Sequence, residues 1–90
     1  MDWSKPTSQF IGVFSKWEEK HTHLFRECIE KTGQVAIMLK MTIHDLENPY
    51  DYNDRIMQIA EILTQEGFIA QEDYTILTVP NIEYIEVYNE

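Results

Sequence analysis

Basic side chains run out early in this sequence: after Lys40, only Arg55 remains in the last fifty residues. Cysteine is nearly missing too. The lone Cys28 rules out an internal disulfide framework and fits a reducing compartment. The three glycines, Gly12, Gly33 and Gly67, lie too far apart to form a phosphate-cradling loop. No stretch reaches the roughly eighteen uncharged apolar residues of a membrane helix, and Met1-Asp2-Trp3 lacks the basic and apolar regions of a signal peptide. A cytoplasmic protein with no membrane partner is expected.

What is present suffices for one domain. Of 90 residues, 43% are hydrophobic, enough for a single core and too few for two. The net charge of −9 is unevenly placed. Residues 1–44 hold six bases against five acids, whereas residues 45–90 set Arg55 against 11 acids. The entire negative balance lies in the second half.

Spacing predicts the elements. Ser4 or Thr7 can cap a helix over about 7–31, along which Phe10, Phe14, Trp17, His21, Leu24 and Cys28 recur at alternating steps of four and three. Gly33 reads as its stop. QVAIMLKMTI (34–43) alternates Val35, Ile37, Leu39, Met41 and Ile43 on one side, as a core strand does. A polar connection at 44–48 leads to a helix over about 50–65 with Ile56, Ile59, Ala60 and Leu63 on its buried face. Strands follow at about 74–79 and 82–88, joined across Pro80-Asn81. The expected fold is α+β: a single two-layer domain in the order α-β-α-β-β, with two helices on one face of a three-stranded sheet.

The element order and the helix ending EILTQEGFI (61–69) resemble the N-terminal module of an RNA-binding protein of the small ribosomal subunit, over about half of the chain. That module contacts RNA through basic groups, and the matching region here holds none beyond Arg55. The resemblance therefore bears on topology and not on RNA binding.

Few residues are arranged for chemistry. In Glu18-Glu19-Lys20-His21-Thr22-His23 the two histidines project about 200° apart on a helix, so they do not converge on one metal. Cys28 lies on the apolar stripe and lacks an adjacent activating histidine. Carboxylate pairs arise from composition alone when acids are this dense. No catalytic, cofactor-binding or metal-ligating residues are assigned, and a non-enzymatic protein is expected.

The acids point to a partner instead. Asp45, Glu47, Asp51, Asp54, Glu61, Glu66, Glu72, Asp73, Glu83, Glu86 and Glu90 give the wrong sign for direct nucleic-acid binding and the right sign for a basic protein surface. The expected partner-binding residues are Asp51, Tyr52, Asp54, Glu72, Asp73, Glu83, Tyr84, Glu86 and Tyr88, with carboxylates steering and tyrosines anchoring. Such a module would act as a nucleic-acid mimic, its carboxylates imitating a phosphate row, and would inhibit a larger nucleic-acid-binding protein by occupying its basic site. Small acidic phage-encoded inhibitors of host nucleases, CRISPR effectors and restriction systems are similar in size and charge, which would place the chain in a host cytoplasm. The alternative is an adaptor or regulatory subunit that binds through an apolar or aromatic patch. The stripe from Phe10 to Cys28 also offers a surface for a homodimer. Reversal of Glu83 and Glu86 to Lys is expected to slow association with the partner and leave the thermal unfolding midpoint unchanged; equal association rates would remove the C-terminal acids from the interface.

Overall fold

The alternation in residues 34–43 marks the centre of the sheet. The structure, a computed structural model, describes residues 1–80, so the expected strand at 82–88 lies outside the described residues. Within them, β1 (Ser8–Gly12), α1 (Glu19–Thr32), β2 (Val35–Met41), α2 (Ile43–Glu47), α3 (Pro49–Gln65) and β3 (Tyr74–Pro80) form a single α+β domain. The strands lie in the order β1-β2-β3, all parallel.

Register decides which side chains meet the helices. Ser8, Val35 and Tyr74 form one row across the sheet, and Phe10, Ile37 and Ile76 form the next on the same side. On that side Val35, Ile37, Leu39 and Tyr74 pack with Phe25 of α1 and with Tyr52, Ile59 and Leu63 of α3. Two helices therefore cover one face, as the sequence predicts. The alternate rows, Gln9-Ala36-Thr75 and Ile11-Met38-Leu77, together with Lys40 and Val79, project to the opposite face.

The expected helix over 7–31 is corrected. Its first part is β1, with Phe10 turned to the core and Gln9 and Ile11 exposed, and the helix begins only at Glu19. A short apolar segment fits either period, and pairing with β2 decides the matter. Gly12 reinforces the choice, because glycine weakens helices and a Cβ there would stand 2.9 Å from the Phe14 ring. The turn after Gly12 holds Phe14 at a φ of 47°, a left-handed conformation uncommon for an aromatic residue. At the start of α1 the Glu18 N–H donates to His21 Nδ1 at 2.8 Å.

The aromatic residues of the expected stripe still meet, but through a strand, a loop and a helix. Ring centroids of Phe10 and Phe14 are 5.0 Å apart, those of Phe14 and Trp17 5.2 Å, and those of Phe14 and His21 5.4 Å. Trp17 Nε1 donates to Thr22 Oγ1 at 2.8 Å. Because the helical phase restarts at Glu19, Phe25 is buried and Leu24 is exposed. Of the stripe, Phe14 and Trp17 are buried, Phe10, His21 and Cys28 are half-buried, and Leu24 is exposed.

Among the described residues the order is β-α-β-α-α-β where α-β-α-β is expected, and β1 is the strand that the expectation lacks. The polar connection at 44–48 contains α2, where Asp45 Oδ2 accepts from the Thr42 N–H at 2.8 Å. At the end of α1, Gly33 adopts a φ of 81° and its N–H reaches the Ile29 carbonyl at 2.8 Å.

One ion pair ties these pieces together. The Asp45 side chain is fully buried, and Arg55 of α3 grips it with Nη1 on Oδ1 at 2.6 Å and Nη2 on Oδ2 at 3.0 Å. The guanidinium also lies over the Tyr52 ring, 5.1 Å from its centroid. Arg55, chiefly through these hydrogen bonds, lowers the Asp45 pKa from 3.8 to about 2 against the opposing effect of burial. The folded value lies below the unfolded one, so the pair's stabilisation is complete above about pH 4 and is lost as pH falls toward 2. That contribution is about 2 kcal/mol.

Arg55→Met leaves a buried carboxylate unpaired and is expected to cost about 3–5 kcal/mol by urea unfolding at pH 7. Against wild type, the deficit should shrink as pH falls toward 2, because without Arg55 the buried Asp45 protonates at higher pH than in wild type; a deficit independent of pH would refute the pairing. Gly12→Ala is expected to cost about 1–3 kcal/mol by crowding Phe14. The same urea experiment measures it.

Candidate functional site

Helix α3 presents two different faces. With 17 residues it runs for about 25 Å, and Tyr52, Ile59 and Leu63 turn its inner side to the sheet. Residues at steps of four, three and four fall on the opposite side: Tyr50, Asp54, Met57 and Glu61, all of them exposed. Tyr50 is 82% exposed and Met57 68%, unusual values for large apolar side chains. The single base of α3, Arg55, is turned inward and only 13% exposed at its side chain. Its outer surface therefore carries carboxylates with no cation among them.

The start of α3 extends this surface. Asp51 Oδ2 meets His44 Nε2 of α2 at 3.0 Å, and Glu47 is exposed at the junction of the two helices. Ile43 and Leu46 of α2 are exposed as well, on the side away from the buried Asp45. By contrast α1 is balanced: Lys20, Arg26 and Lys31 match Glu19, Glu27 and Glu30 on its exposed surface. Arg26 is further occupied by Glu66 and lies over the Phe68 ring. Of the helical layer, only the α2–α3 side is acidic.

The expected partner-binding residues divide into four groups. Asp51 and Asp54 are exposed on α3, beside Tyr50 and Met57. Tyr52 is corrected: at 5% exposure it is a core residue whose hydroxyl donates to the Leu39 carbonyl at 3.2 Å and meets Thr78 Oγ1 at 2.8 Å. Glu72 and Asp73 precede β3 at the amino end of the parallel sheet, whereas α3 begins at its carboxyl end, so they do not join Asp51 and Asp54. Asp73 is half-buried and accepts from the Ile69 N–H at 2.7 Å. Glu83, Tyr84, Glu86 and Tyr88 lie outside the described residues. Asp45 leaves the acidic face for the interior.

Among the described residues, no catalytic geometry is assembled at the carboxyl end of the sheet. Ligand crevices of parallel α/β proteins form there, at a reversal of strand order. The order β1-β2-β3 contains no reversal, and the loop after β1 turns Phe14 and Trp17 into the core. What remains is an open depression of about 400 Å³ lined by Ser15, His44, Asp51, Asp54 and Arg55. Both nitrogens of His44 already face partners, Asp51 Oδ2 at 3.0 Å and Asn48 Nδ2 at 3.4 Å, so neither is directed to Ser15 as a base. Among the described residues, no three His, Cys, Asp or Glu side chains gather as metal ligands, and no helix is long and apolar enough to cross a membrane.

No protein family, curated protein sequence or solved structure matches this chain.

Met57 and Glu61 belong to the surface, and Met57 was not singled out from sequence. The signal lay in the helical phase: once Ile59 and Leu63 face inward, positions 50, 54, 57 and 61 face outward together. Tyr52→Phe is expected to lose about 1–2 kcal/mol in urea unfolding by removing the buried hydroxyl's contacts. It should leave partner association unchanged, and a reduced association rate at unchanged secondary structure would return Tyr52 to the interface.

Proposed function

We propose that this chain is a non-enzymatic protein-binding module that docks through the acidic outer surface of α2 and α3 on a basic surface of a larger protein, of the kind that binds nucleic acid. Occupying that surface excludes the nucleic acid, which makes the module an inhibitor. The observation that carries this reading is the disposition of charge: the one base of the acidic half is consumed inside the domain by Asp45, and the exposed residues of α3 carry only negative charge. No cofactor is required.

Charge density defines what the carboxylates do. Asp51, Asp54 and Glu61 occupy about 15 Å of helix, one charge per roughly 5 Å. Duplex DNA carries one per about 1.7 Å and a single strand one per about 3.4 Å. The carboxylates of α3 are thus too sparse to reproduce a duplex, and their role is to steer the encounter and align the partner. Anchoring falls to Tyr50 and Met57. Those two exposed side chains also support the second reading, an adaptor held mainly by apolar contact.

Pull-down from cytoplasmic extract at low and moderate salt separates the two. A basic nucleic-acid-binding protein released by salt and displaced by oligonucleotide is the expected result, lost in the Asp51→Lys, Asp54→Lys, Glu61→Lys triple variant. A salt-resistant neutral or acidic partner retained by that variant would select the adaptor.

A further inference from the structure

The outer row of α3 repeats itself, and the repeat suggests the shape of its partner. Tyr50 and Asp54 are followed seven residues later by Met57 and Glu61. Each repeat sets a large apolar side chain first and a carboxylate four positions on. Tyr50 and Met57 are about 10.5 Å apart along the axis, and both carboxylates stand on the same flank of the row. We infer that α3 docks against a basic amphipathic helix of the partner, with Tyr50 and Met57 in the seam and partner Lys or Arg side chains facing Asp54 and Glu61. This rests on the proposed docking of the acidic surface and specifies what it receives.

Periodicity favours a helix over other occupants. Side chains on one face of a strand recur about every 6.7 Å, out of step with this spacing, whereas a packed helix presents equivalent positions once per heptad. A second copy of α3 is disfavoured by charge, since an antiparallel or parallel pair would set Asp54 and Glu61 against carboxylates. Among the described residues, the outer face of the sheet offers a basic partner less: its outward rows contain Lys40 and no acid.

The test uses the full chain and two synthetic peptides of equal lysine content. One is a Leu/Lys amphipathic helix; the other replaces the leucines by serine. Amide shifts and titration calorimetry should show the Leu/Lys peptide binding at least about tenfold more tightly, with shifts centred on Tyr50, Asp54, Met57 and Glu61. The exposed double substitution Tyr50→Ala, Met57→Ala, checked for unchanged circular dichroism, should reduce that affinity to the level of the serine peptide. Asp54→Asn with Glu61→Gln should remove most of the salt dependence. Equal binding of the two peptides overturns the helix seam and leaves the charge-based docking standing. Binding of neither peptide overturns both. Shifts centred on Ile11, Met38 and Leu77, or self-association of the chain in place of peptide binding, also overturn the inference.

Discussion

The pairing of Asp45 with Arg55 determines much of what the rest of the molecule can present. A buried carboxylate is tolerable only when an opposite charge and further donors satisfy it, and here Nη1 and Nη2 of Arg55 and the Thr42 N–H converge on it. Asp45 sits on α2 and Arg55 nearly two turns inside α3, so the pair fixes how the second helix is rotated against the first. That rotation turns Tyr52 inward and Tyr50, Asp54 and Met57 outward. The interior electrostatics therefore set the exterior ones: removing the only base of α3 from its surface leaves that surface uniformly negative.

The sheet imposes a second constraint. Three parallel strands in sequence order put both crossover helices on one face, which gives an efficient small core and, among the described residues, no strand reversal at which a ligand crevice forms. The loop after β1 completes this arrangement, because Phe14 and Trp17 join Phe10 and His21 in one aromatic cluster. Among the described residues, the carboxyl end of the sheet is occupied by this packing.

Within that surface, charge and apolar area are interleaved. Asp51 and Asp54 flank Tyr50, and Glu61 follows Met57, so desolvating the two large side chains brings the carboxylates close to whatever covers them. Glu72 and Asp73, equally acidic in composition, stand at the other end of the sheet and form no part of this arrangement. Proximity in sequence composition is a poor guide to a common face; helical phase is a good one.

The sequence by itself determined the elements whose local pattern admits one period. The alternation of Val35, Ile37, Leu39 and Met41 marks β2, the run from Tyr74 marks β3, and the spacing of Ile56, Ile59 and Leu63 marks α3 to within a residue or two. It also determined the asymmetry of charge between the two halves. Tertiary structure alone decided that Ser8–Gly12 is a strand, because its short apolar pattern suits helix and strand alike and only the hydrogen bonds offered by β2 separate them. It alone decided which charges reach the solvent: Asp45 and Arg55 are ten residues apart, and neither composition nor spacing reveals that each is buried to satisfy the other.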